Sequence, residues 1–297
     1  MFTNRMIRNL LVPVVLEQIL NSIMGTADTM MVSNVGSAAL SAVSLVLIQA
    51  FSALAAGGAI VCAQYIGQRN YEKANMSARQ VLFIITAISV VVSAVCLIFQ
   101  KPLLRLIFGA VDADVMRASE TYFFFTALSF PFIAAYDSAA SIFRAQENTK
   151  GPMTISMISN IMNIGGNAVL IWVFHLGVAG AAISTLVSRI FCAVVVLWQL
   201  RKDRQPVVVK DYLKIRPDWS MIGRILGLGI PSGIENSMFQ LGKLAIQSTV
   251  STLGTAAIAA QAMTNILENL NGIAAIGVGV GLMTIVGQCL GAGRKDE

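Results

Sequence analysis

Glu17, Asn21 and Asp28 lie in the first apolar stretch of the chain at i, i+4 and i+11, which places them on one face of a helix. Carboxylates and an amide in apolar surroundings can hold a cation or carry a proton, since desolvation makes an acid take up a proton more readily. An ionised group at the centre of a bilayer costs several kcal/mol, with about 2.5–3.5 at the low end. Each such group therefore calls for a reason. Pro13, one turn before Glu17, removes a backbone donor and can open the helix there. A purely structural pairing of Glu17 is the alternative, as is a solvated interfacial position for Asp28.

Two later stretches carry similar stripes. Asn236, Gln240, Lys243 and Gln247 recur at i, i+4, i+7 and i+11, flanked by Glu235, and Gln261, Asn265 and Glu268 recur at i, i+4 and i+7. If these stripes and the Glu17 face surround one polar space, then Glu235, Asn236, Gln240, Lys243 and Glu268 line a substrate cleft. Lys243 would pair there with Glu268 or Glu235. Asn160, Asn163 and Asn167 bring amides without charge, a common link between helices in lipid. Asp137 follows Pro131, Arg144 lies two turns further, and Asp137 and Arg189 are candidates to compensate each other. Deep in apolar sequence, Glu17, Asp28, Asp137, Glu235 and Glu268 outnumber Arg189 and Lys243. That sign favours protons, sodium ions or organic cations.

The elements that must position these groups are membrane helices. The chain is 56% hydrophobic and 12% charged, where a soluble domain carries roughly 25% charged residues. Eight apolar stretches are long enough to cross a hydrocarbon core, near 10–32, 40–66, 80–100, 118–143, 153–174, 178–200, 221–250 and 256–289. Sixteen of the 21 Lys and Arg fall in the N-terminus, the alternate loops on its side and the C-terminal tail. The positive-inside rule then puts both termini in the cytoplasm. The basic residues follow topology, so the net charge of +6 is no nucleic-acid footprint. His175, the single histidine, sits at a helix end, and the four cysteines are scattered, so no metal-ligand spacing or disulfide framework is visible.

A repeat organises the spans. Pro13-Val-Val-Leu-Glu17 returns 218 residues later as Pro231-Ser-Gly-Ile-Glu235, and Val32-Ser33 through Ala42 returns as Val250-Ser251 through Ala260. After six inserted residues, Gln64-x-x-Gly67 returns as Gln288-x-x-Gly291. A duplicated membrane unit with an acid in its first helix marks a secondary transporter built from repeats. Six spans separate the two Pro-x-x-x-Glu helices, so the repeat is parallel. The expected division is a six-helix lobe at 1–200, a cytoplasmic linker at 201–220 and the first two helices of a second lobe at 221–297. Gly57, Gly58 and the run Gly277, Gly279, Gly281 read as close-packing positions.

With these residues in hand, the chain resembles the multidrug and toxic compound extrusion (MATE) transporters, in a superfamily that also includes lipid-linked oligosaccharide flippases. The resemblance is carried by Pro13 through Asp28-Thr29-Met30-Met31-Val32, Ala63-Gln64-Tyr65-Ile66-Gly67, Phe143 through Lys150, Asn163-Ile-Gly-Gly-Asn167 and Gly177 through Ala182. It implies an all-α integral membrane fold of twelve helices in two six-helix lobes, of which this chain holds eight and is C-terminally truncated. It also implies export of a small, usually cationic, drug from the cell in exchange for protons or sodium ions, in the plasma membrane, with no cofactor beyond the coupling ion. Asp28 falls at the family's first-helix acid, a cation-coupling position, with Glu17, Asn163 and Asn167 as accompanying candidates. Members often have Asp where this chain has Asn167, which cannot titrate. The expected partners are a cationic or amphipathic small molecule and membrane lipid. A flippase would favour a cationic cleft for pyrophosphate, against the acidic excess. An intramembrane metalloprotease would need His-Glu-x-x-His, which one histidine cannot supply, and no paired-aspartate motif appears.

Overall fold

The computed structural model describes residues 4–32, 38–108, 113–202, 205–209 and 216–294, and nearly all of them are helical. Side chains at 23–43, that of Asp28 among them, lie outside the described ones. The helices are α1 (Asn4–Val32), α2 (Ala38–Gly67), α3 (Tyr71–Ile98), α4 (Gln100–Phe108), α5 (Ala113–Ala145), α6 (Lys150–Ala168), α7 (Gly177–Leu200), α8 (Trp219–Ser251) and α9 (Thr255–Gly291). A π-helical turn, Val169–Val173, ends α6, and His175 at φ 53° and Gly177 at φ 53° turn the chain into α7. Starts follow local chemistry. The Asn70 side chain accepts from the Lys73 N–H at α3, and Asp218 accepts from Ser220 and Met221 at α8, which satisfies donors that have no partner inside a helix.

Each of the eight apolar stretches expected to span is one long helix; α4 is the addition. Six of the described helices are long and apolar enough to cross a membrane: Val46–Gly67 of α2, α3, Met116–Ala145 of α5, Lys150–Val173, α7 and Asn271–Gly291 of α9. α1 and α8, the helices that carry Pro13 and Glu17, and Pro231, Glu235 and Lys243, are not among these six, and part of each lies outside the described side chains.

The centre is α5, packed against α2, α3 and α7. Phe123, Phe130 and Phe143 are buried along it, with Ala127, Ala134 and Ala139 letting neighbours close in. Phe51 of α2 meets Phe130 edge-on at 6.0 Å between centroids, the favoured geometry for aromatic pairs. The connection before α8 is strapped to this body. Val207 and Val209 are fully buried, the Val207 N–H donates to Gln146 Oε1 (3.0 Å) and the Val208 N–H to Asn75 Oδ1 (2.8 Å). Gln80 holds the other end, donating to the Arg216 carbonyl at 2.7 Å and accepting from the Asp218 N–H at 3.2 Å.

The contacts between α1–α2 and α8–α9 obey the repeat. The pairs are exchanged: α2 lies on α8, and α1 lies on α9. A methyl at Gly67 would overlap the Gln288 carbonyl, and one at Gly291 would overlap the Gln64 carbonyl. These are the two copies of Gln-x-x-Gly, each seated on the other. Farther along, Gly57 abuts Gly229 and Gly281 abuts Leu11, and Gly57 and Gly281 correspond at the offset that relates the two Gln-x-x-Gly motifs. Where backbone meets backbone, at Gly57, Gly67 and Gly291, the crossing needs glycine, the close-packing role read from the sequence; Gly277 and Gly281 meet side chains of α1, and Gly279 has nothing within 4 Å, against that expectation.

Candidate functional site

Glu17 is 2% exposed and faces α5 and α6. Its Oε1 accepts from the Tyr136 hydroxyl at 3.1 Å and lies 3.7 Å from Nη2 of Arg144. One turn on, Asn21 Oδ1 accepts from Ser156 (3.0 Å) and from the Asn160 side-chain amide (3.2 Å). The described members of the α1 polar face, Glu17 and Asn21, thus turn to α5 and α6, and α1 meets α9 through Val15 on Gly277 and Leu11 on Gly281, an apolar contact.

Farther along α6, Asn163 and Asn167 are fully buried. Asn163 donates to Thr185 Oγ1 at 3.2 Å and accepts from Asn167 at 3.1 Å, while Ser184 donates to the Asn163 carbonyl at 2.9 Å. The amides therefore join α6 to α7, the linking role the sequence suggested, and Thr185 and Ser184 are members it did not single out. Whether Asp28 completes this group lies outside the described side chains.

A cavity of about 310 Å³ opens between α2, α5, α8 and α9. Asp137 and Arg144 of α5 line it, with Gln49 and Ser52 of α2 and Asn236 of α8 among the polar walls. It lies across the contact between the two copies of the repeat. Of the five residues expected in a cleft, only Asn236 reaches it. Lys243 and Glu268 pair at 2.8 Å, as one of the two expected pairings had it, but with side chains 38% and 48% exposed. Glu235 is exposed and Gln240 partly so. Arg189 donates to Ser129 Oγ at 2.6 Å. Among the described residues no group of three His, Cys, Asp or Glu could hold a metal ion.

Next to the cavity, α9 reaches across to the end of α5. Thr284 donates to the Arg144 carbonyl at 3.2 Å and Gln288 to the Ala145 carbonyl at 2.9 Å. The last carbonyls of α5, which lack partners within the helix, are capped by the other copy of the repeat. Tyr136, Thr284 and the Arg144–Glu17 pairing left no trace in periodicity, since a single hydroxyl on an apolar helix has no pattern.

Comparison with known proteins agrees with this architecture. The MatE family model matches residues 13–169 and 231–297, two segments that begin at Pro13 and Pro231, the paired prolines of the repeat. The chain is 27% identical over 302 aligned positions to the probable multidrug resistance protein YoeA of Bacillus subtilis, covering 97% of this chain and 64% of that protein. It is 25% identical to a probable multidrug resistance protein NorM of Thermotoga maritima, covering 97% and 63% respectively. The chain therefore spans a little under two thirds of these relatives. Among solved structures, an outward-facing MATE transporter of the MOP superfamily matches with a TM-score of 0.85 at 21% identity, over 97% of this chain and 65% of that one. A MOP superfamily transporter from Pyrococcus furiosus, described as having a binding pocket of reversed polarity, matches with a TM-score of 0.83 at 19% identity, over 97% and 65%. With the family model covering most of its length in two repeat-matched segments, the chain belongs to the multidrug and toxic compound extrusion (MATE) family of membrane transporters, proteins that are not enzymes.

Proposed function

We propose that the chain forms the first lobe, 1–200, the linker, 201–220, and the opening of the second lobe, 221–297, of a cation-coupled exporter of organic, typically cationic, amphipathic molecules. It would act by alternating access in the plasma membrane, with α1 and α8 as spans beside the six apolar helices and both ends of the chain cytoplasmic. The observation that carries the reading is the cavity formed across the repeat contact, lined by Asp137 and Arg144, with the buried acid Glu17 against Arg144. A ligand shifts a rocking equilibrium only by its differential affinity for the two states. A cavity whose walls come from both copies of the repeat changes shape when they move, which supplies that difference. Asp28, Glu17, Asn163 and Asn167 are assigned to the coupling ion, a proton or sodium, and Glu235, Asn236, Gln240, Lys243 and Glu268 to the substrate path. The cavity wall pairs one acid with one base, and a flippase holding pyrophosphate would want a cluster of bases instead.

The test is uptake of a fluorescent organic cation into proteoliposomes under an imposed proton or sodium gradient. Asp28→Asn is expected to abolish gradient-driven uptake while inserting normally. Unchanged coupling in that variant would remove Asp28 from the mechanism.

A further inference from the structure

We propose that the membrane end where α7 finishes and α6 begins binds an anionic phospholipid, its phosphate received by Lys150, Arg201 and Lys202 and an acyl chain laid along α7. Binding here is independent of what the interior of the protein carries. The two helices pack side by side, and α7 and the stretch Lys150–Val173 are each long and apolar enough to cross a membrane. Their ends meet: a methyl at Gly151 would come 3.2 Å from Gln199 Oε1. Lys150 immediately precedes Gly151, and Arg201 and Lys202 close the same turn of α7 as Gln199. Three bases from two separate stretches of sequence are therefore gathered at one junction, and all three are exposed.

The positive-inside rule explains why bases lie on this side of the membrane. It does not explain why these three meet without an acid. None of them has an ion pair among the described residues, and Glu147, in the turn before α6, pairs with none of them. Lys202 Nζ instead stands 3.6 Å from the centroid of the Trp198 ring, a cation–π contact that holds the charge beside an indole 58% exposed. Tryptophan settles at the headgroup level of a bilayer. On the same face of α7, exposed Val194 and Val187 follow at i−4 and i−11 from Trp198, an apolar lane without a charge. The lane runs about 16 Å along the axis, half of the roughly 30 Å hydrocarbon core. It thus spans one leaflet and ends in bases, which matches an acyl chain with a negative headgroup. A zwitterionic headgroup brings its own cation against the same three charges, and that repulsion selects the anionic lipid.

The experiment reconstitutes the chain in bilayers and compares quenching of Trp198 fluorescence by dibrominated phosphatidylglycerol and by dibrominated phosphatidylcholine. Trp172→Phe and Trp219→Phe leave Trp198 as the one tryptophan of the three. Phosphatidylglycerol is expected to outcompete phosphatidylcholine at Trp198 by at least about fivefold. Lys150→Gln and Arg201→Gln should each lower that preference, by up to about fivefold per base, and the double variant should bring it near parity. Both side chains are exposed, so the variants keep the fold. Trp172, in the turn that ends α6, reports on the opposite headgroup level. Kept as the one tryptophan, it should show no such preference. Excess inorganic phosphate, at an ionic strength matched with chloride, should leave the preference at Trp198 intact. Equal quenching by the two lipids, a preference that survives in the double variant, or the same preference at Trp172 overturns the proposal. Loss of the preference in phosphate overturns it too, by showing a site for the free anion instead of a lipid.

Discussion

Replacing Gly67 with Ala puts a methyl group where the Gln288 carbonyl already lies. The obstructing atoms are backbone, so no rotamer change can relieve them and the helices must part. Overpacking of this kind costs about 1–3 kcal/mol. Ala returns up to about 1 kcal/mol over Gly within a helix. A net loss of up to about 2 kcal/mol follows. Gly223 of α8 supplies the control, with nothing within 4 Å of an added Cβ. There the propensity gain acts alone, and Gly223→Ala should stabilise by up to about 1 kcal/mol. The two substitutions are chemically identical and should differ in sign. Gly291→Ala should match Gly67→Ala, because it meets the Gln64 carbonyl at the same crossing. A displacement that admits one methyl largely admits the other, so the double variant should cost less than the sum of the singles, with a coupling of at least about 0.5 kcal/mol. Denaturant unfolding of the four variants in detergent reads this directly. Gly67→Ala as stable as Gly223→Ala, or strict additivity of Gly67→Ala and Gly291→Ala, would refute the repeat-matched crossing.

Removing Arg144 leaves Glu17 buried, with Tyr136 as its hydrogen-bond donor. Arg144→Gln should destabilise by about 3–5 kcal/mol, as expected for breaking a buried pair, and adding Glu17→Gln should recover much of it; a double variant no better than the single would count against the pairing. Asn163→Ala strands partners on Thr185 and Asn167 and should cost about 1–3 kcal/mol in the same unfolding measurement; a neutral result would show that the amides do not hold α6 to α7. Gln80→Ala cuts the two hydrogen bonds that hold the α8 end of the connection. Limited proteolysis there should speed up without a change in overall unfolding, and unchanged cleavage would mean that burial of Val207 and Val209, with the Gln146 and Asn75 hydrogen bonds, holds the strap without Gln80.

The helices and the repeat were legible because both are periodic. A 3.6-residue pattern marks a face, and a fixed offset marks a copy. The chain's own neighbours were not legible in the same way. Periodicity placed Glu17 and Asn21 on one face, and that was correct, but a face does not say which helix it meets. It meets α5 and α6, where Tyr136, Ser156 and Asn160 wait as single polar groups on otherwise ordinary helices. The cavity was hidden for the same reason: Asp137 and Arg144 were each visible, yet only the tertiary fold sets Gln49, Ser52 and Asn236 opposite them. The short α4 escaped because its nine residues, with Pro102 and two basic side chains, are too few and too broken to register as a span.

Gln288 and Thr284 have a consequence for motion. They terminate a helix that belongs to the other copy of the repeat. If α9 withdraws from α5, the Ala145 carbonyl loses its side-chain donor, and at a site with no protein donor in reach only water can replace it, at a cost of about 1–3 kcal/mol while it stays unmet. The Arg144 carbonyl keeps the Glu147 N–H at 2.9 Å and feels the change less. Separation at this end and hydration of this end are therefore one event. The two copies of the repeat cannot part here dry.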